Sequence, residues 1–188
     1  MVKWSEDQLE ILKSVSEDDQ AVNYANRGQD LEDMIETSNE RYKFEGKALV
    51  QKIPEPIRQI SDIQQGGRFT AIYEKKSTVD YIGTYKGYAL AFDAKSTKVE
   101  TRFDLSNVAK HQYEFMKNWH DNGGISFLVV LFKSHGEIYY LPFETLRYWQ
   151  EEADRKSIPY ESFQYEIEAN GLVQVDYLSV VDDLEVEK

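Results

Sequence analysis

Three residues in the middle of the chain have types and spacing suited to one kind of chemistry. Asp80 and Asp93 are separated by twelve positions, and Lys95 follows Asp93 by two. In an extended strand, residues two apart point to the same side. Asp93 and Lys95 therefore share a face, and Phe92 and Ala94 take the other. If the stretch around Asp80 pairs with this strand through the "GTYKG" connection, Asp80 reaches the same patch. Carboxylates at close range repel each other, and a divalent cation offsets that directly. Mg²⁺ takes oxygen ligands, keeps several waters, and is held by one or two carboxylates together with substrate phosphate. A lysine beside such an ion holds the attacking water or neutralises charge developing on a phosphorus-bound oxygen. These are the parts needed to hydrolyse a phosphodiester. The same residue types also describe an ordinary salt-bridged strand face, and an isolated D-x-K does not choose between the two.

The elements that must position these residues can be read along the chain. Residues 5–15, "SEDQLEILKSV", predict a short helix capped by Ser5. In "NRGQDLEDMIETSNERYKFEG", Leu31, Met34, Ile35 and Tyr42 recur at helical spacing, with Gly46 as the stop. "KALVQKIPEPI" predicts a strand ending at Pro54 and Pro56. Residues 57–76 read as two extended arms around Gly66 and Gly67, a hairpin. "STVDYIG" and "YALAFDAKS" follow as strands. "DLSNVAKHQYEFMKNWHDNGG" predicts a helix starting near Ser106 or Asn107 and ending at Gly123 and Gly124. "ISFLVVLF" predicts a strand buried on both faces. "EIYYLPF" reads as a strand, "FETLRYWQEEADRK" as a helix and "GLVQVDYL" as a last strand. The order predicts a mixed α/β domain around one central sheet flanked by helices.

Totals bound the function. The chain has 188 residues, 41% of them hydrophobic, enough for one domain with a real core. Its apolar runs are too short to span a bilayer, so no membrane partner is expected. "MVKWSEDQLEILK" holds no apolar signal core and the chain has no cysteine; both lead us to expect a cytoplasmic protein. The absence of cysteine also excludes thiolate metal sites. The net charge of −12 opposes non-specific attraction to nucleic acid, but it is unevenly spread. Residues 1–33 carry −6, residues 34–112 carry +3 and residues 113–188 carry −9. A polyanion is therefore expected to approach the middle third.

Four segments decide between the readings of the D-x-K. "NRGQDLE" at 26–32, "STVDYIGTYKG" at 77–87, "FDAKST" at 92–97 and "KHQYEFMK" at 110–117 occur in this order. Together they resemble the RecU-type Holliday junction resolvases of the PD-(D/E)xK nuclease superfamily, over roughly residues 23–150. The resemblance implies a restriction-endonuclease-like sheet with a protruding β-hairpin stalk. It implies a homodimer and a Mg²⁺-dependent endonuclease, with Mn²⁺ as a substitute, that resolves four-way DNA junctions. It assigns Thr78, Asp80, Asp93 and Gln112 to the metal environment and Lys95 to stabilising the transition state. Glu32 resembles the extra acid that many of these nucleases bring near the metal. Arg27 and Lys86 match positions near DNA phosphates, and Lys75 and Lys76 are expected to contact the backbone. The chain departs from the pattern at Asp93, where the family usually has Glu, and in a shorter hairpin with the uncharged tip "QQGG".

The expected organisation is an acidic leader over 1–22, a nuclease domain over 23–178 with the stalk at 57–76, and an acidic tail over 179–188. Two other functions stay open at this point. One is a nuclease of the same superfamily acting on another DNA substrate. The other is a non-catalytic DNA-binding recombination accessory protein. Glu32 sits among Asp30, Asp33 and Glu36, so it also reads as part of a solvated acidic helix face. His111 and His120 lack zinc-site spacing and are read as structural. Tyr81, Tyr85 and Tyr88 are read as core or rim.

Overall fold

A computed structural model describes residues 30–54, 57–60, 70–73, 78–170 and 173–186. Helix α1 (Leu31–Phe44) forms because Leu31, Met34, Ile35, Ser38 and Tyr42 fall on one stripe, and all five are buried. It stops at Gly46, whose φ of +66° suits glycine. Strand β1 (Ala48–Lys52) follows, then a short antiparallel pair, β2 (Ile57–Gln59) with β3 (Ala71–Tyr73). The β2–β3 pair agrees with the hairpin expected there, and its tip lies outside the described residues.

Next come β4 (Tyr81–Tyr85), β5 (Tyr88–Thr97), β6 (Arg102–Asp104), helix α2 (Lys110–Asp121), β7 (Ile125–Phe132) and β8 (Glu137–Pro142). Helix α3 (Phe143–Arg147), β9 (Ser157–Pro159), β10 (Tyr165–Glu166) and helix α4 (Tyr177–Val181) complete the chain. The central sheet has six strands in the order β1-β4-β5-β7-β8-β10. Only β5 and β7 run parallel, joined across α2; the other neighbours are antiparallel, so the sheet is mixed. Strands β6 and β9 make a separate small pair.

The two faces of the sheet carry two cores. On one face α1 and α4 cover Tyr81, Phe92, Phe127 and Tyr140. These four rings stack in succession across β4, β5, β7 and β8, with centroids 4.9, 4.6 and 4.4 Å apart. On the other face α2 and α3 cover Ala91, Leu128 and Val130 with Tyr113, Met116 and Leu146. Strand β7 serves both cores, which is why its sequence is continuously apolar rather than alternating. A one-residue slip of β4 on β5 would expel Tyr81 from the aromatic stack, so packing fixes the register Tyr81↔Phe92. That register sets Asp80 beside Asp93.

Several expectations are corrected. Helix α2 starts at Lys110 rather than near Ser106, because Leu105–Asn107 forms a tight 3₁₀ turn first. The helix after β8 is regular only to Arg147, and Tyr148–Glu152 continues as a wider π turn. The described part of "GLVQVDYL", residues 173–178, is not a strand: Asn170 and Val173 make one isolated bridge, and the chain then turns into α4. Its alternation was overridden by buried partners on α1. Tyr42 Oη donates to Asp176 Oδ1 at 2.7 Å, Tyr177 Oη donates to Asn39 Oδ1 at 2.5 Å, and Ser38 Oγ accepts from Val175 N–H at 2.9 Å. The segment expected as an acidic tail begins inside this core, with Val181 fully buried. The expected helix at 5–15 and the leader lie outside the described residues.

Candidate active site

The site is built at the end of the β4–β5 hairpin away from its turn. Asp93 is on β5, pointing to the α2 side of the sheet and completely buried. Asp80 immediately precedes β4 and is half-buried. The strands hold the two acids through the backbone. Asp80 N–H donates to Asp93 Oδ1 at 3.0 Å, and Ala94 N–H donates to Asp80 Oδ2 at 2.9 Å. Ile53 N–H donates to the Asp80 carbonyl at 2.7 Å, so β1 also braces this corner.

Lys95 lies on the same face, as the two-residue period requires. Its Nζ is 2.5 Å from Asp93 Oδ2 and donates to Gln112 Oε1 at 3.2 Å. Lys95 is the only group paired with Asp93 Oδ2 among the described residues. Burial raises the Asp93 carboxyl well above the ordinary range, its neighbour Asp80 adds to the rise, and Lys95 opposes it. The corner therefore sets two carboxylates against one lysine, and Asp93 releases its proton less readily than an ordinary carboxyl.

Gln112 stands in the first turn of α2. Its Oε1 also accepts from Ala109 N–H at 3.1 Å, the side-chain half of a capping box. One amide oxygen thus ties the lysine to the start of a helix.

The other expected residues divide. Thr78 is exposed, two positions before Asp80. Glu32 is on α1, which covers the opposite face of the sheet, and its carboxylate pairs with Lys52 at 2.8 Å. Lys52 reaches Glu36 as well, at 2.7 Å. The link from Glu32 to the site runs through Tyr81, whose hydroxyl donates to the Glu32 carbonyl at 3.4 Å and whose neighbour in sequence is Asp80. Lys86 is at the far turn of the hairpin, roughly 20 Å from Asp80 at about 3.3 Å per residue, and is paired with Asp182 at 2.7 Å. Arg27, Lys75 and Lys76 lie outside the described residues. Sequence reasoning missed Lys52, because its pairing with α1 depends on how β1 packs against that helix. His120 contacts Glu144 at 2.7 Å, away from the acids.

Among the described residues no group of three or more His, Asp or Glu side chains is arranged to hold a metal ion. Two neighbouring carboxylates, one of them completely buried, still fit a hard cation that keeps most of its water.

A mixed sheet that brings an acid before one strand together with D-x-K on the next defines a nuclease of the PD-(D/E)xK class. The comparisons with known proteins narrow this. The family model for Recombination protein U matches residues 26–183. Holliday junction resolvase RecU of Staphylococcus epidermidis is 38% identical over 174 residues, covering 87% of this chain and 83% of that protein. The protein of the same name from Streptococcus pneumoniae is 35% identical over 172 residues, covering 87% of each. A solved structure of Hjc, a Holliday junction resolvase from Archaeoglobus fulgidus, matches 77% of this chain and 96% of that one with a TM-score of 0.40 and 9% identity, too distant to carry weight here. The chain belongs to the Recombination protein U family.

Proposed function

We propose that the protein is a Mg²⁺-dependent endonuclease that resolves four-way DNA junctions by paired, symmetric nicks. The observation that carries the nuclease reading is the corner of Asp80, Asp93 and Lys95. The junction substrate is supported by relatives named as Holliday junction resolvases, which match along most of their length. Two symmetric cuts call for a two-fold homodimer. The protein would act in the cytoplasm, and no helix of the described residues is long and apolar enough to cross a membrane.

Asp80 and Asp93 would hold the ion, with Thr78 and Gln112 completing its surroundings and Mn²⁺ able to replace Mg²⁺. When bound, the ion supplies charge to the phosphate and acidifies the attacking water. The protein's own groups do the rest. Lys95 Nζ, on the same face as both acids, would serve the phosphate oxygen on which charge develops during in-line attack. Gln112 Oε1 keeps that ammonium aimed across the corner. Burial of Asp93 keeps water from screening these charges.

The test is cleavage of a labelled four-way junction beside a matched linear duplex, with and without Mg²⁺, for wild type and Asp93→Asn. Paired nicks in the junction that need Mg²⁺ and vanish in the variant are expected. Equal cleavage of both substrates would remove the junction. No cleavage by folded wild type in Mg²⁺ or Mn²⁺ would remove the nuclease.

A further inference from the structure

At the turn end of the β4–β5 hairpin lies a cleft of ≈ 400 Å³ between α1, β1 and the turn. Lys43, Lys47 and Lys86 line it, with Thr84, Tyr85 and Gly87 among their neighbours, and none of its lining residues is acidic. In a chain of net charge −12 such a surface is unusual. Lys43 lies in the last turn of α1, Lys47 follows it in the connection to β1, and the fold brings Lys86 to them from the β4–β5 turn.

Two further observations concern how the lysines are held. Lys47 Nζ lies 5.2 Å above the Tyr42 ring, and Lys86 Nζ lies 5.2 Å above the Tyr85 ring. Each aromatic face restrains a cation while leaving its donors usable. Lys86 also has φ +48° and is followed by Gly87 at φ +86°. This is a two-residue turn in which the first place favours Asn, Asp or Gly. Lys86 is the only non-glycine with positive φ among the described residues. A lysine kept at a conformational cost is more readily explained by its charge than by the turn.

The acids that touch these lysines leave them accessible. Lys43 reaches the exposed Glu40 at 3.3 Å, Lys47 is 3.8 Å from the buried Asp176, and Lys86 is 2.7 Å from Asp182. The Lys43 and Lys86 side chains remain 56% and 48% exposed.

We propose that the Lys43–Lys47–Lys86 cleft is a second phosphate site, separate from the catalytic corner, that holds the sugar-phosphate backbone of a substrate arm. This rests on the reading of the protein as a DNA nuclease. Phosphate contacts of this kind position a substrate without reading its sequence.

The experiment is binding of a labelled four-way junction and a linear duplex in Ca²⁺ across a salt series, for full-length wild type and the double variant Lys43→Gln Lys86→Gln. This pair leaves the Lys47–Asp176 contact intact, and circular dichroism checks folding. The variant is expected to bind DNA about 10-fold more weakly at low salt, and its log K against log salt slope is expected to be shallower by about 1–2, near 0.9 for each phosphate lost. Lys43→Arg Lys86→Arg is expected to keep the wild-type slope. Unchanged affinity and slope would overturn the proposal. A variant that loses affinity only for inorganic phosphate, with DNA binding intact, would overturn it too, since the cleft would then serve a free anion. Wild type that binds junction and duplex equally counts against the junction reading alone, because the cleft is judged from the variant on either DNA.

Discussion

The backbone N–H of Asp80 donates to the Asp93 carboxylate at 3.0 Å, while the Asp80 carboxylate accepts the N–H of the residue after Asp93 at 2.9 Å. Each acid is therefore fixed by the other's strand, and the two are locked in mutual reach. The corner sets two carboxylates and one lysine in fixed positions.

Asp93→Asn keeps the shape of the side chain and removes its charge. Cleavage is expected to fall by at least about 100-fold, comparable to losing one preorganised electrostatic group. Affinity for Mn²⁺ should fall with it, while junction binding in Ca²⁺-free buffer stays within about threefold. Titration of Mn²⁺ and single-turnover cleavage check this.

Burial and Asp80 raise the Asp93 carboxyl from 3.8 to about 7. Between those values the native protein holds a proton that the unfolded chain has released, so metal-free stability falls as pH rises through this window. Relative to Asp93→Asn, which cannot titrate, wild type should lose stability from pH 5 to pH 8 by up to about 2.5 kcal/mol, about 1.4 kcal/mol for each of the two pH units below 7. Denaturant unfolding of both at the two pH values measures the difference. Mg²⁺ at pH 8 should recover part of it for wild type only.

Lys95→Met removes the cation that competes with a metal for Asp93 Oδ2. Cleavage at saturating Mg²⁺ is expected to drop about 100- to 1000-fold, while Mn²⁺ affinity does not weaken. Weaker Mn²⁺ binding would show that Lys95 supports the metal site rather than the transition state.

Gln112→Ala takes away both the acceptor for Lys95 and the bond to Ala109 N–H. A stability loss of about 1 kcal/mol is expected from the helix end, together with a fall in kcat larger than any change in KM. Gln112→Glu, which keeps the acceptor oxygen, should restore the stability. Thermal melts and steady-state cleavage separate the two effects.

Leu178 on α4 is fully buried against the aromatic face of the sheet. Leu178→Ala should cost about 2–5 kcal/mol, far more than expected for a residue on a solvated terminal segment. Chemical denaturation provides the value.

Much of the corner was legible in the sequence because a strand has a period of two. That period alone put Asp93 and Lys95 on one face and Phe92 on the other, and the short "TYKG" connection made an antiparallel neighbour of the Asp80 strand. The helical stripe of Leu31, Met34, Ile35 and Tyr42 was legible for the same kind of reason. "GLVQVDYL" at 171–178 misled because alternation there is real, yet Asp176 and Tyr177 bond to Tyr42 and Asn39, 134 and 138 positions away. Local periodicity contains no signal for partners so distant. Gln112 was picked out from its motif, but its double role as helix cap and lysine acceptor needs the start of α2, which the sequence placed too early.

The amino-acid sequence by itself determined the chemistry available: two acids and a lysine on adjoining strands, no thiolate, a basic middle between acidic ends. Those facts depend on residue type and on spacings within about 15 positions, where backbone geometry leaves few choices. The tertiary structure decided which acids meet. It placed Glu32 with Lys52 across the sheet from Asp93, closed the core with the C-terminal segment, and gathered Lys43, Lys47 and Lys86 around one cleft. Such placements depend on packing between segments far apart in sequence, where burial and charge pairing are settled only when the whole core forms.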